Sequence, residues 1–361
     1  MSAPLRIVIA AGGTAGHVVP ALAVADALRA DGAEVTFIGG ERAERELVPA
    51  AGYELKTLAV EGISRSNPLK AARAVVKAGA GVVKARALLQ QLRPDAVMGG
   101  GGYVAGTVGA AAASLRLPLV LTEADSHLGI SNKALARFAR RVCLAFPLDG
   151  REGEKYLVTG RPVPPPATDR AAARARFGLG DAETAVVVFG GSLGARSINT
   201  AALSAFAAPS LDGQPLRIVH AAGARDFDSL RSPGDHYDLR RYIDGFGEAL
   251  LASDLVVARS GGSIFEIAAA GRAAILIPYP HAAADHQTAN ARWMEQAGAA
   301  VVVADADLNA ERLAREVSAL VGDRARLQQM AAASASLARP DAARAIAAEL
   351  LTAARAGADA R

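Results

Sequence analysis

Residues 6–17 read RIVIAAGGTAGH and residues 185–196 read AVVVFGGSLGAR. Each stretch starts as a short apolar run, 7–11 in the first and 186–189 in the second. Each then turns through three glycines, Gly12, Gly13 and Gly16 or Gly190, Gly191 and Gly194. Helix-like segments follow, VVPALAVADALRA and SINTAALSAF. A strand that ends in glycine and opens a helix aims backbone N–H groups and the helix's partial positive charge at one point, which suits a phosphate. One such loop is a weak signal. Two copies, each opening its own half of the chain, predict two nucleotide-binding-type domains facing each other across a cleft.

Size and composition agree. A chain of 361 residues exceeds what one hydrophobic core organises, and 51% hydrophobic against 21% charged residues is the composition of a well-packed α/β protein. Cys143 is the single cysteine, so no internal disulfide forms; within VCLAF it reads as a buried small hydrophobe. No secretory signal is visible, because the first apolar run is only strand-length and leads straight into the glycine loop. The uncharged stretch 96–115 holds six glycines and many alanines, and reads as strand, glycine loop and packed helix rather than a membrane span. A cytosolic protein is expected.

The net charge of +4 is unevenly spread. Residues 62–94 carry Arg65, Lys70, Arg73, Lys77, Lys84, Arg86 and Arg93 with no acidic residue, interleaved with apolar Leu69, Val75, Val76, Val82, Val83, Leu88 and Leu89. Two readings stay open: a pair of helices with solvated basic faces, or a surface that rests on anionic lipid headgroups. Nucleic acid is disfavoured, since only 4% of residues are aromatic and few are available to stack on bases.

Strand-like apolar runs alternate with helix-like segments along the whole chain, which predicts doubly wound sheets with helices on both faces. Ligands of such sheets bind beyond the carboxyl ends of the strands. The segment VTGRPVPPPATD carries Pro162, Pro164, Pro165 and Pro166 and reads as a stiff connector. The expected division is therefore 1–162 and 167–339, with a helix at about 340–355 packing back on the first domain.

Two further clusters carry chemistry. GGGGYVAG, 99–106, places Tyr103 in a third glycine loop. ARSGGSIFEIAAAG, 258–271, puts Ser260, Gly261, Gly262 and Ser263 at a helix start, another diphosphate-type seat. Glu266 reads either as an acceptor for sugar or ribose hydroxyls or as a capping-box residue. Transfer of a group to a hydroxyl needs a base to take the hydroxyl proton. His17, at the mouth of a phosphate-type loop with an ordinary pKa near neutrality, is the best candidate. The pair Asp305 and Asp307 precedes a helix-like run and reads as N-capping. His281 and His286 lack the spacing of a helical zinc pair. No metal and no cofactor are expected.

In order along nearly the whole chain, these motifs resemble the MurG family of UDP-N-acetylglucosamine transferases that complete the lipid-linked disaccharide precursor of bacterial peptidoglycan. GGTAGH is similar to GGTGGH, GGYVAG to GGYVSG and GGSLGAR to GGSQGAR; RSGGSIFEIAAAG and DHQTANA resemble the donor-binding segment. The resemblance implies a GT-B fold with donor nucleotide on the C-terminal domain and lipid acceptor on the N-terminal one. It implies an inverting transfer of N-acetylglucosamine to the 4-hydroxyl of undecaprenyl-diphospho-muramoyl-pentapeptide by a peripheral enzyme on the cytoplasmic face of the membrane. It further implies that Glu266 binds the ribose, the backbone of Ile243 the uracil edge, and Ser192 with Ser260, Gly261, Gly262 and Ser263 the diphosphate. Gln287, with Asn290 nearby, would bind the transferred sugar. Thr14, Gly16, His17, Gly102 and Tyr103 would surround the acceptor's diphosphate and hydroxyl.

Two of the chain's departures from the pattern bear on the acceptor side. TEAD replaces HEQN, so Asp125 stands where asparagine is usual and competes with His17 as base, while Glu123, Asn132 and Lys133 are retained. GRPVP replaces GNPVR, which moves the arginine forward to Arg161 and leaves its role on the acceptor side open. The rivals are a dinucleotide oxidoreductase, for which both loops lack G-x-G-x-x-G and Glu41 is a loose ribose acid; a GT-B enzyme with another acceptor; and a non-enzymatic scaffold, which predicts degraded donor residues.

Overall fold

The computed structural model describes residues 3–58, 68–180 and 182–358, the side chains of 15, 68–78, 283 and 358 excepted. The chain divides into two compact units, Met1–Val163 with Asp341–Arg361, and Pro164–Pro340.

The first unit runs β1 (Arg6–Ala10), α1 (Ala15–Ala30), β2 (Glu34–Gly39), α2 (Ala43–Ala50), β3 (Glu54–Thr57), α3 (Pro68–Leu92), β4 (Ala96–Gly99), α4 (Gly102–Ser114), β5 (Leu119–Glu123), α5 (Ile130–Leu135), β6 (Arg141–Leu144) and β7 (Tyr156–Val158). The strands form one parallel sheet in the order β3-β2-β1-β4-β5-β6-β7. Parallel strands covered on both faces must be apolar throughout, which is why β1 and β4 are buried along nearly their whole length. The order reverses between β1 and β4. The chain leaving these two strands, 11–17 and 100–103, therefore opens a crevice at the carboxyl edge.

The second unit contains α6 (Arg170–Arg176), β8 (Thr184–Phe189), α7 (Arg196–Ala205), β9 (Ser210–Leu211), β10 (Gln214–Ala221), β11 (Tyr237–Arg240), α8 (Phe246–Ala252), β12 (Leu255–Ala258), α9 (Ile264–Ala269), β13 (Ala273–Leu276), α10 (His286–Gln296), β14 (Ala300–Val302), α11 (Ala310–Val321) and α12 (Arg324–Ser336). Its parallel order, β11-β10-β8-β12-β13-β14, repeats that of the first unit, with β9 added antiparallel to β10. Here the switch point lies between β8 and β12, at 190–195 and 259–263.

After Pro340 the chain forms α13 (Ala342–Ala358) and joins the first unit. Its buried Ile346, Ala347 and Leu350 share a core with Val24 and Leu28 of α1, and Arg141 of β6 pairs with Glu349 at 2.9 Å. Each fully buried Leu or Ile of this kind contributes about 1.5–3 kcal/mol. Cys143 belongs to the same core, and burial pushes its thiol up to about 12, so it is inert near neutrality.

A polar network braces the second unit behind its glycine loop. Buried His220 of β10 meets Tyr237 Oη through Nδ1 at 2.7 Å and Asn199 Oδ1 through Nε2 at 3.0 Å, while the Asn199 amide donates to Ala222 O at 3.0 Å. Because Asn199 Oδ1 only accepts, Nε2 carries the proton and Nδ1 receives the tyrosine hydroxyl. The imidazole is thus neutral, and burial lowers its pKa to about 4.

Candidate active site

Thr14, in extended conformation, ends the first loop as the N-cap of α1, so His17 falls in the helix's first turn. Its Nδ1 lies 3.1 Å from Thr14 Oγ1. When Nδ1–H donates to that hydroxyl, Nε2 keeps its lone pair. The ring packs on Gly101, whose positive φ of 91° opens α4; a Cβ there would stand 2.6 Å from His17 Cδ2. Glycine at 101 is thus required both by the backbone and by the histidine. His17 opens onto a cavity of about 380 Å³ shared with Gly102, Tyr103, Glu123, Asp125 and 129–132. The imidazole's pKa is lowered, mainly by burial, with Asp125 raising it and Arg161 lowering it further.

Of the residues singled out on this side, His17, Gly102, Tyr103 and Asp125 line that cavity, whereas Thr14 touches it only through His17. Gly16 and Arg161 share a second cavity with His17, about 20 Å³ in volume. Glu123 is an organiser. Its buried carboxylate accepts from Asp125 N (3.2 Å), Gly129 N (2.8 Å) and Asn132 Nδ2 (2.9 Å), closing segment 123–132 over the cavity. Burial raises its pKa against the lowering effect of those donors.

Glu44 escaped the sequence reading. Its carboxylate is fully buried and accepts from Gly13 N at 2.9 Å and Gly40 N at 2.7 Å. A Cβ on Gly12 or Gly40 would stand 2.7 or 2.8 Å from Glu44 Oε1, so these glycines make room for the carboxylate. Burial alone would raise its pKa, but the backbone N–H donors of Glu44, Gly13, Gly40 and Arg42 hold it below the usual carboxylate range. At Gly13 the loop N–H that would face a phosphate already faces an internal anion. The sequence signal is an acid four residues after Gly40, a spacing that belongs to no recognised motif.

The second loop is built differently. Gly194 has φ +81° and sits so close to the end of β10 that a Cβ would lie 2.0 Å from Ala222 O. The loop fronts a cavity of about 560 Å³ lined by 190–197, Arg225, Arg259, Tyr279, His281, Gln287 and Asp305. Ser192 and Gln287 thus come together. Gln287 Oε1 accepts from Tyr279 N at 3.0 Å, which turns its NH2 outward as a donor. Gly261 abuts that amide, a Cβ there falling 3.8 Å from Gln287 Nε2. Ser260 is buried and donates to Gln287 O at 2.7 Å, and buried Asn290 donates to Ser260 O at 2.9 Å; both hold the turn in place rather than face the cavity. Ser263 caps α9 without a side-chain bond, half-buried Glu266 lies in that helix's first turn, and Ile243 lies in the loop after β11.

The N-capping expected of Asp305 and Asp307 is corrected here. They form a short 3-10 turn, and the cap of α11 is Asn309, which accepts from Arg312 N at 2.8 Å. Asp305 instead pairs with Arg259 at 2.6 Å and accepts from Ser197 Oγ at 2.6 Å. Arg259 is buried and also donates to Ile277 O and Pro278 O, both at 3.1 Å. The pair links β12, β13 and α7 along the loop's rim. Among the described residues no group of three or more His, Cys, Asp or Glu side chains is placed to hold a metal ion.

Residues 7–144 match the glycosyltransferase family 28 N-terminal domain and 185–346 its C-terminal domain. The chain is 41% identical to the UDP-N-acetylglucosamine–N-acetylmuramyl-(pentapeptide) pyrophosphoryl-undecaprenol N-acetylglucosamine transferase of Moorella thermoacetica, covering 95% of this chain and 97% of the relative. The enzyme of that name from Methylococcus capsulatus is also 41% identical, with the same coverage. Among solved structures, Acinetobacter baumannii MurG superposes with a TM-score of 0.80 at 28% identity, over 97% of this chain and all of that one. A kitacinnamycin glycosyltransferase, with a TM-score of 0.73 at 17% identity over 97% of this chain and 100% of its own, shares the fold. On these matches over both sheets, the chain belongs to glycosyltransferase family 28, within its MurG group.

Proposed function

We propose that the chain moves N-acetylglucosamine from UDP-N-acetylglucosamine to the 4-hydroxyl of the muramoyl sugar of undecaprenyl-diphospho-muramoyl-pentapeptide, with inversion, using the second unit for the donor and the first for the acceptor. The observation that carries this division is the asymmetry of the two glycine loops. Gly13 N–H of the first is taken by buried Glu44, whereas the second fronts a large cavity walled by Arg225 and Arg259. A nucleoside diphosphate fits the second.

In this reading Ser192 and the 190–194 loop receive the diphosphate, Glu266 the ribose hydroxyls, the Ile243 backbone the uracil edge, and the Gln287 NH2 a hydroxyl of the transferred sugar. In the first unit the acceptor hydroxyl lies in the 380 Å³ cavity beside His17. As its oxygen attacks the anomeric carbon, the bond from that carbon to the β-phosphate oxygen breaks and its electron pair leaves with UDP. The hydroxyl proton passes to His17 Nε2, and the loop dipoles stabilise the charge on the departing diphosphate.

Glu266→Ala tests the donor half: it should weaken UDP-N-acetylglucosamine binding by about 1.5–3 kcal/mol, measured by calorimetry, because one hydrogen bond to a charged acceptor is lost. Unchanged affinity in a folded variant returns Glu266 to helix capping.

We further propose that the enzyme works at the cytoplasmic face of the membrane, held by the basic segment 62–94. Arg65 lies outside the described residues, as do the side chains of Lys70, Arg73 and Lys77; Lys84 and Val83 are exposed on α3. No helix among the described residues is long and apolar enough to cross a membrane. Cosedimentation with anionic vesicles should fall as salt rises and fall again in Lys70→Glu with Lys84→Glu. Equal binding to neutral vesicles, unmoved by salt or substitution, leaves the solvated-face reading.

A further inference from the structure

Helix α1 carries Pro20 in its second turn. Proline has no N–H, so the carbonyl four residues before it, Gly16 O, lacks its i+4 donor within the helix. Arg161 supplies one: its Nη2 donates to Gly16 O at 2.6 Å, from the connector after β7 and 145 residues along the chain. The bond closes on the residue that precedes His17. Arg161, Gly16, His17 and Glu123 also wall the 20 Å³ cavity, room for a single water.

We propose that Arg161 is a positioning residue for the transfer: it fills the bond that Pro20 leaves open, fixes the turn that presents His17, and sets a permanent positive charge beside the imidazole so that the ring stays a proton acceptor. This rests on the reading of His17 as base. Among the described residues, the charged and titratable groups sharing cavities with the ring are Asp125 after β5, Glu123 at the end of β5, Tyr103 of α4, Cys143 of β6, whose thiol burial keeps protonated, and Arg161. Asp125 favours the protonated ring, and Arg161 opposes it. The guanidinium keeps its charge at every working pH, so the opposition is constant. Asp125 and Arg161 both stand where the chain departs from the motif pattern, and both act on one imidazole with opposite signs. An aspartate at 125 alone would hold the histidine protonated to higher pH; the arginine at 161 offsets it.

The test is the titration of His17 in the full chain, followed by NMR of protein labelled at histidine and assigned by the signal lost in His17→Ala. Removing the positive charge in Arg161→Gln should move the His17 midpoint to higher pH, and Arg161→Lys should return it toward the parent value. Should Arg161→Gln alone fail to fold, the comparison is Asp125→Asn against Asp125→Asn with Arg161→Gln, where the double variant should titrate higher. An unchanged midpoint in either comparison overturns the proposal. The acidic limb of the turnover profile is read in parallel. If the midpoint moves and the limb does not, Arg161 still acts on His17 and it is the assignment of His17 as base that fails.

Discussion

His17→Ala lowers the turnover number by about 10²–10⁴-fold, the usual cost of losing a general base, with donor affinity little changed. The separation follows from the structure, because His17 and the cavity it opens onto belong to the first unit, whereas Ser192 and Gln287 line a cavity of the second. Asp125 is the competing base, since it lines the same cavity as His17. Two features favour the histidine. When Nδ1–H donates to Thr14, Nε2 is left to accept, and burial lowers the imidazole's pKa, which favours the unprotonated ring. Asp125→Asn should therefore retain most activity, because an amide still accepts a hydrogen bond from a sugar hydroxyl. A near-normal turnover number in His17→Ala, with a collapse in Asp125→Asn, reverses the roles. As pH falls through the His17 midpoint, turnover of the parent should fall with it, because protonation removes the acceptor lone pair.

How much of this was legible in the chain depends on the range of the interaction. The doubly wound sheets were readable because each strand is a local apolar run and each glycine loop a local turn signal. Gly101 and Gly194 are glycines for reasons their own sequence neighbourhood suggests, a positive φ before a helix and a tight turn after a strand. Glu44 was hidden because its partners, Gly13 and Gly40, lie beyond the ends of β1 and β2, and only the pairing of Ala10 with Ile38 brings them together. Asp305 misled for a related reason. An acid before a helix is a good cap in one dimension, but Arg259 lies 46 residues earlier (305 − 259) and reaches it across strand ends. Arg161 stood out as a displaced arginine, yet nothing local said that Pro20 had left a carbonyl for it.

Gly194→Ala should damage donor binding far more than Gly191→Ala, although both glycines belong to one loop and have similar positive φ, +81° and +91°. A side chain at either position meets the same backbone strain, about 1–3 kcal/mol. Around Gly191 a Cβ meets nothing within 4 Å, so strain is the whole cost. At Gly194 the Cβ would lie 2.0 Å from Ala222 O and 3.0 Å from Ala222 C, both backbone atoms, and relief requires the end of β10 to move. Such overpacking adds about 1–3 kcal/mol. The shift does not stay local, because Ala222 O is held by Asn199, whose carbonyl oxygen receives Nε2–H of buried His220. Moving the turn strips a partner from a buried polar network, which costs more than its bonds contribute when made. Denaturant unfolding should place Gly194→Ala at least about 1 kcal/mol below Gly191→Ala, and UDP titration should separate their affinities by about tenfold or more, the equivalent of 1.4 kcal/mol. Equal losses in the two variants mean that the loop does not depend on its seat against β10, and the network behind it then has no part in shaping the diphosphate site.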